Sequence, residues 1–191
     1  MNYNAEDQYQ SMVRAFAEIE LLATNLGKHA VIGDDAVLDK AKVFFQQCYH
    51  LKDYLKKDPR IRNAKDVEAF INKSDALSIA ADICNSFKHA GLTKPPRSGR
   101  PLTKINMAYS IDTPLGITGK HLFAEFKKNP NDGDTVFVSR SNRKGVPIAT
   151  ATVVFTMDKL TRNAIDLARE CIADWHEFLA ENGLVFDEPT G

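Results

Sequence analysis

The sequence lacks most of the signatures by which an active site is read. It has no GxxxxGK[ST] phosphate loop, no GxGxxG turn, no GxSxG elbow, no HExxH helix and no CxxC pair. These absences argue against a P-loop nucleotidase, a dinucleotide-binding dehydrogenase, an α/β-hydrolase, a zincin protease and a thiol redox enzyme. Cysteine is sparse: Cys48, Cys84 and Cys171 stand far apart. Each falls on the apolar side, or its edge, of a different predicted helix, so buried reduced thiols are expected. Neither a metal nor a cofactor is expected. No apolar run approaches a membrane span, and the opening MNYNAEDQYQ has no basic-then-apolar signal pattern, so a cytoplasmic protein without membrane contact is expected.

Net charge is also absent, with 25 basic and 25 acidic residues. The balance is uneven along the chain. Residues 1–90 carry 12 basic and 13 acidic side chains, 91–155 carry 10 and 4, and 156–191 carry 3 and 8. The segment charges are therefore −1, +6 and −5. A basic middle implies either internal complementarity or an anionic partner.

Periodicity supplies the elements. Tyr9, Met12, Phe16, Ile19, Leu22 and Leu26 make one stripe of a helix over Ala5–Leu26. A second helix runs from Asp34 or Asp35 to about Lys57, burying Val37, Ala41, Phe44, Phe45, Cys48, Leu51 and Leu55. His50 and Asp53 lie on its opposite face, one turn apart, either as a solvated face or as a shared binding pair. A short helix over Asp66–Asn72 follows. Ser74 then caps a central helix reaching Gly91. Ala76, Ile79, Ala80, Ile83 and Phe87 form its apolar face. Asp82, Ser86 and His89 line the flank, either as a half-exposed edge or as a carboxylate–hydroxyl–imidazole relay.

Residues 91–104, GLTKPPRSGRPLTK, contain no acid and carry Lys94, Arg97, Arg100 and Lys104. This loop either presents charge to phosphates or is a solvated connector. Strands are predicted over Thr103–Ile111, His121–Lys127, Thr135–Arg140 and Val146–Phe155. The last two are expected to pair across SNRKG, with Arg140, Arg143 and Lys144 at the tip. A final helix is predicted from Thr156 or Asp158 to Asn182. Its core stripe is Leu160, Ala164, Leu167, Ala168, Cys171, Trp175 and Phe178. Arg169 and His176 lie on the far face beside a second apolar strip, Ile165, Ile172 and Leu179, which suggests another subunit.

The expected fold is therefore α+β, mainly α. It is a single domain, 1–191, with an up-down helical bundle (5–92 and 156–183) of four long helices plus a short one. An antiparallel β-meander (103–155) is inserted before the last helix.

Two segments carry a resemblance. CYHLKDYL (48–55) and DICNSFKHAGL (82–92) resemble a family of uncharacterised bacterial proteins, in which a YHL-D helix precedes a D-x-x-N-x-x-K-H helix and then strands. The helical layout is also similar to the HEPN superfamily. That resemblance implies a dimer, a role in bacterial defence or toxin–antitoxin systems, and in active members RNA cleavage by an Arg, a polar residue and a following His. Arg169, Glu170 and His176 fit that spacing, although Glu170 is not the usual polar residue. No Arg precedes His89, where only Asn85 and Lys88 offer polar or cationic groups. On this reading Arg169 and His176 would be catalytic, with Asp82 and His89 second. Lys94, Arg97, Arg100, Arg140, Arg143, Lys144, His50, Asp53, Asn85, Ser86 and Lys88 would bind RNA or a nucleotide. The rivals are a non-catalytic adaptor with a protein partner, and a small-molecule or metal-binding bundle using His50 and His89.

Overall fold

The computed structural model describes residues 4–25, 34–88, 95–112, 123–128, 135–140 and 148–186. Among these, the helices are α1 (Ala5–Asn25), α2 (Asp34–Leu55), α3 (Ala64–Lys73), α4 (Asp75–Lys88) and α5 (Ala164–Glu181). The strands are β1 (Leu102–Asp112), β2 (Phe123–Lys128), β3 (Thr135–Arg140), β4 (Ile148–Met157) and β5 (Leu160–Asn163). The molecule is mainly helical, with an antiparallel sheet formed before the last helix.

Local chemistry starts the helices. Asn4 Oδ1 accepts from the Asp7 N–H (3.0 Å), and the Asp7 carboxylate accepts from the Asn4 N–H (2.9 Å). This reciprocal pair satisfies two donors at the start of α1. Asn63 caps α3, and its side chain accepts from the Lys65 N–H. Ser74 caps α4, its Oγ accepting from the Leu77 N–H (2.8 Å) and donating to the Asp174 carboxylate of α5. One hydroxyl thus starts a helix and ties it to another.

The apolar stripes meet in one core. Tyr9, Met12, Ile19, Phe44, Phe45, Leu51, Ile79, Ile83, Leu167 and Trp175 are fully or almost fully buried. Two of the aromatic groups bridge elements of the core. Phe16, Phe44, Phe45, Phe155 and Phe87 make a chain of ring contacts that runs from α1 through α2 to β4 and α4. Phe70, Trp175 and Phe178 join α3 to α5. The helix α4 is buried on more than one face, because Ala76 through Cys84 are all buried. The small residues Ala76, Ser78, Ala80 and Ala81 let its neighbours approach closely.

The three cysteines are buried and free. The Cys171 thiol donates to the Ala76 carbonyl (3.5 Å). Burial, then the neighbouring Cys48 thiol, pushes the Cys171 thiol well above its ordinary range.

Strand pairing departs from the expected hairpin. The main sheet has the order β1-β4-β5, while β2 and β3 pair with each other. Residues 135–140 lie against 123–128, and 148–157 lies against 102–112. The expected start of the last helix is overturned as well. Thr156 is still in β4, and Asp158, with φ 51°, turns the chain into β5. Met157 and Leu160 face each other across that two-residue turn. Aspartate tolerates positive φ better than most side chains, so it suits this turn as well as it would a helix cap. The cap of α5 is Asn163, whose side chain accepts from the Ile165 N–H (2.8 Å). The buried Val153, Phe155 and Met157 of β4 seat the sheet against the helices.

Candidate functional site

The structure separates the predicted site residues into three places. The first is the flank of α4. Asp82 is 2% exposed, which settles whether it faces solvent. Its carboxylate accepts from the backbone N–H of Arg97 (2.7 Å) and of Ser98 (2.8 Å), one on each oxygen. It holds the loop after α4 against the bundle, a structural role that the spacing did not suggest. Ser86 Oγ donates to the Asp82 carbonyl (2.8 Å). His89 and Lys94 lie outside the described residues.

The loop arginines are paired with carboxylates of the bundle, Arg97 half-buried and Arg100 at the surface. Arg97 Nη2 reaches the Glu68 carboxylate (2.7 Å), and Arg100 Nη1 reaches Asp75 (2.7 Å). The charges of these two arginines are matched by Glu68 of α3 and Asp75 of α4, so part of the basic segment finds its complement within the chain. Arg143 and Lys144 fall outside the described residues. Arg140 ends β3 at the pair Phe123–Arg140.

The second place is the outer face of α5. Arg169 is held by Glu20 of α1 (2.6 Å) and by Asp166 (3.2 Å), with its guanidinium over the Phe16 ring. His176 stacks on Tyr9, with ring centroids 5.8 Å apart and planes 18° apart. The two side chains share a face, but each is engaged with α1. The neighbouring apolar strip is occupied within the chain. Leu179 is buried, and Ile165 and Ile172 pack against the core. That removes the reason to assign the strip to another subunit.

The third place brings both sequence motifs together. Helices α2 and α4 pack side by side, and Lys88 Nζ lies 2.6 Å from His50 Nε2. An ammonium only donates, so Nε2 accepts and the ring is neutral, with its proton on Nδ1. Burial, then the Lys88 charge, holds the His50 pKa below its ordinary value, against an opposing pull from Asp53. Asn85, half-buried, is one turn back along α4 from Lys88. His50, Asp53, Tyr54 and Lys57 line an open pocket of about 230 Å³. Their spacing, i, i+3, i+4 and i+7, is that of one helical face.

A second cluster adjoins it on the next helical row, where Tyr49, Lys52, Asp53 and Lys56 repeat the same spacing. Lys52 Nζ lies 4.3 Å over the Tyr49 ring and within 3.5 Å of Asp53. Glu68 of α3 is held by Lys56 and Arg97, with Lys52 at 3.6 Å. Burial opposes the Glu68 charge, but the hydrogen bonds from Lys56 and Arg97 and the charge of Lys52 prevail and lower its pKa to about 2. Around α2 and the end of α4 the described residues therefore set Lys52, Lys56, Lys57, Lys88 and Arg97 against Asp53 and Glu68. The face is net positive.

Of this cluster the sequence reading singled out His50, Asp53, Asn85 and Lys88. It missed Tyr49, Lys52, Tyr54, Lys56 and Lys57, although two parallel rows of i, i+3, i+4, i+7 residues were there to be read. Among the described residues no group of three or more His, Cys, Asp or Glu side chains is placed to hold a metal ion. Comparison with family models, curated proteins and solved structures finds no match.

Proposed function

We propose that the protein binds single-stranded RNA at the α2–α4 face, as a HEPN-like helical protein with an inserted sheet. The observation that carries this reading is Lys88 Nζ at 2.6 Å from His50 Nε2, at the edge of a pocket that also holds Lys57. Phosphates are attracted by clustered lysines without regard to sequence, and bases stack on aromatic rings; Tyr54 lines the pocket. The Arg169–His176 pair carries less, because Glu20 and Asp166 already neutralise the guanidinium. The reading is thus one of binding without cleavage at that pair.

The test is fluorescence anisotropy with a labelled 12-nucleotide RNA over a range of salt. Binding should weaken with salt, with a slope of about −0.7 per phosphate contact on a single strand. Lys57→Gln with Lys88→Gln should lower affinity and flatten the slope by about 1.4. The same RNA should stay intact with wild type, Arg169→Ala and His176→Ala alike. Salt-independent binding, or a lysine double variant that binds like wild type, overturns the reading.

A further inference from the structure

The pocket between His50, Tyr54 and Lys57 has a feature that a plain phosphate site would not carry: the carboxylate of Asp53. Its side chain is 52% exposed, and its ion pair among the described residues, to Lys52, is loose at 3.5 Å. Among the described residues Asp53 accepts no hydrogen bond, so its oxygens keep their acceptor capacity for a ligand. Two anions at one site repel, so a phosphate bound beside Asp53 is disfavoured unless the ligand also presents a hydrogen-bond donor to the carboxylate. Lys57 and Lys88 supply the opposite chemistry on either side of it along the α2–α4 surface.

A ligand suited to this arrangement carries a hydroxyl close to a phosphate. In RNA the 2′-hydroxyl neighbours the 3′-phosphate of the same nucleotide, and DNA lacks that donor. Building on the RNA-binding reading above, we propose that Asp53 accepts a hydrogen bond from a ribose 2′-hydroxyl while Lys57 and Lys88 hold the adjoining phosphates, so that the pocket selects RNA over DNA. Asp53 is then a specificity residue. Without the hydroxyl its carboxylate only repels the backbone. The selectivity therefore has two sources, a hydrogen bond that only RNA can donate and a repulsion that DNA cannot offset.

The experiment compares three labelled 12-mers of one sequence, with ribose, 2′-deoxyribose and 2′-fluororibose, by anisotropy against the whole chain. The fluoro strand keeps the RNA-like sugar pucker but has no donor. Wild type should prefer RNA over both other strands by about tenfold, the scale of one charge-assisted hydrogen bond. Asp53→Ala, at a half-exposed position, should remove most of that preference, whereas Asp53→Asn, whose amide oxygen still accepts but carries no charge, should keep part of it. Asp53→Ala should also bind DNA at least as tightly as wild type does. Equal binding of RNA and DNA by wild type, or a preference that survives Asp53→Ala, overturns the proposal while leaving RNA binding intact. Binding of none of the strands overturns the RNA-binding reading itself. Displacement of the RNA by micromolar AMP, dependent on Asp53, would overturn the assignment to a strand and give the same chemistry to a free nucleotide.

Discussion

At the scale of single residues, the state of His50 is set by burial and by its charged neighbours. Burial and the Lys88 ammonium keep its pKa below the ordinary value. A histidine lowered in this way disfavours the folded state once pH falls below its unfolded pKa of about 6.5. The imidazole resonance of His50, followed by proton NMR, should titrate at lower pH than in an unstructured peptide. Lys88→Met should move it upward, because one opposing charge is gone while Asp53 still favours the imidazolium. No upward movement would separate Lys88 from His50 in solution. Asp82 teaches a different lesson. Its position beside the apolar face was legible, but its partners were not. The N–H groups of Arg97 and Ser98 lie 15 and 16 positions further along the chain. A backbone donor leaves no mark on a sequence pattern, whereas a lysine or histidine does.

At the scale of elements, the helices were legible because each repeats its apolar residues at helical spacing over several turns. The ends were less so. Leu160 fits the stripe of Ala164, Leu167 and Cys171, so period alone placed it on the last helix. The strand pairing of β4 and β5 overrode that period, through a turn at Asp158 that a cap residue mimics. The join between α2, α3 and the loop after α4 depends on Glu68, whose pKa stands at about 2 and whose side chain is 29% exposed. A carboxylate lowered in the fold contributes stability above its unfolded pKa of about 4.5 and loses it as pH falls towards 2. Glu68→Gln should destabilise the protein by about 1–3 kcal/mol at pH 7, after allowance for solvent screening. The variant should also show a flatter loss of stability between those two pH values. Urea unfolding at pH 7, 4.5 and 3 checks both. Equal pH dependence in variant and wild type would place the titrating group elsewhere.

At the scale of the whole molecule, the bundle and sheet share one core through Phe155, and all three thiols lie within it. Burial raises both Cys84 and Cys171, and the thiolate is the reactive form. A thiol reagent such as DTNB should therefore react slowly with the folded chain and quickly with three groups in denaturant. Fast reaction of the native protein would mean that the core opens readily. The pairing of Arg97 and Arg100 has a consequence for how an RNA would arrive at the proposed face. Each guanidinium is locked to a carboxylate less than 3 Å away, so from a distance the loop acts as a set of small dipoles rather than as two free charges. A dipole's field dies away faster than a monopole's, and at physiological salt even monopoles are screened beyond about 8 Å. The charges of Arg97 and Arg100 therefore contribute little to drawing in a strand from a distance. On the proposed reading capture would fall to the lysines of α2 and α4 at short range, so Arg97 and Arg100 should scarcely affect the association rate, while changes at Lys57 and Lys88 should act on both encounter and residence.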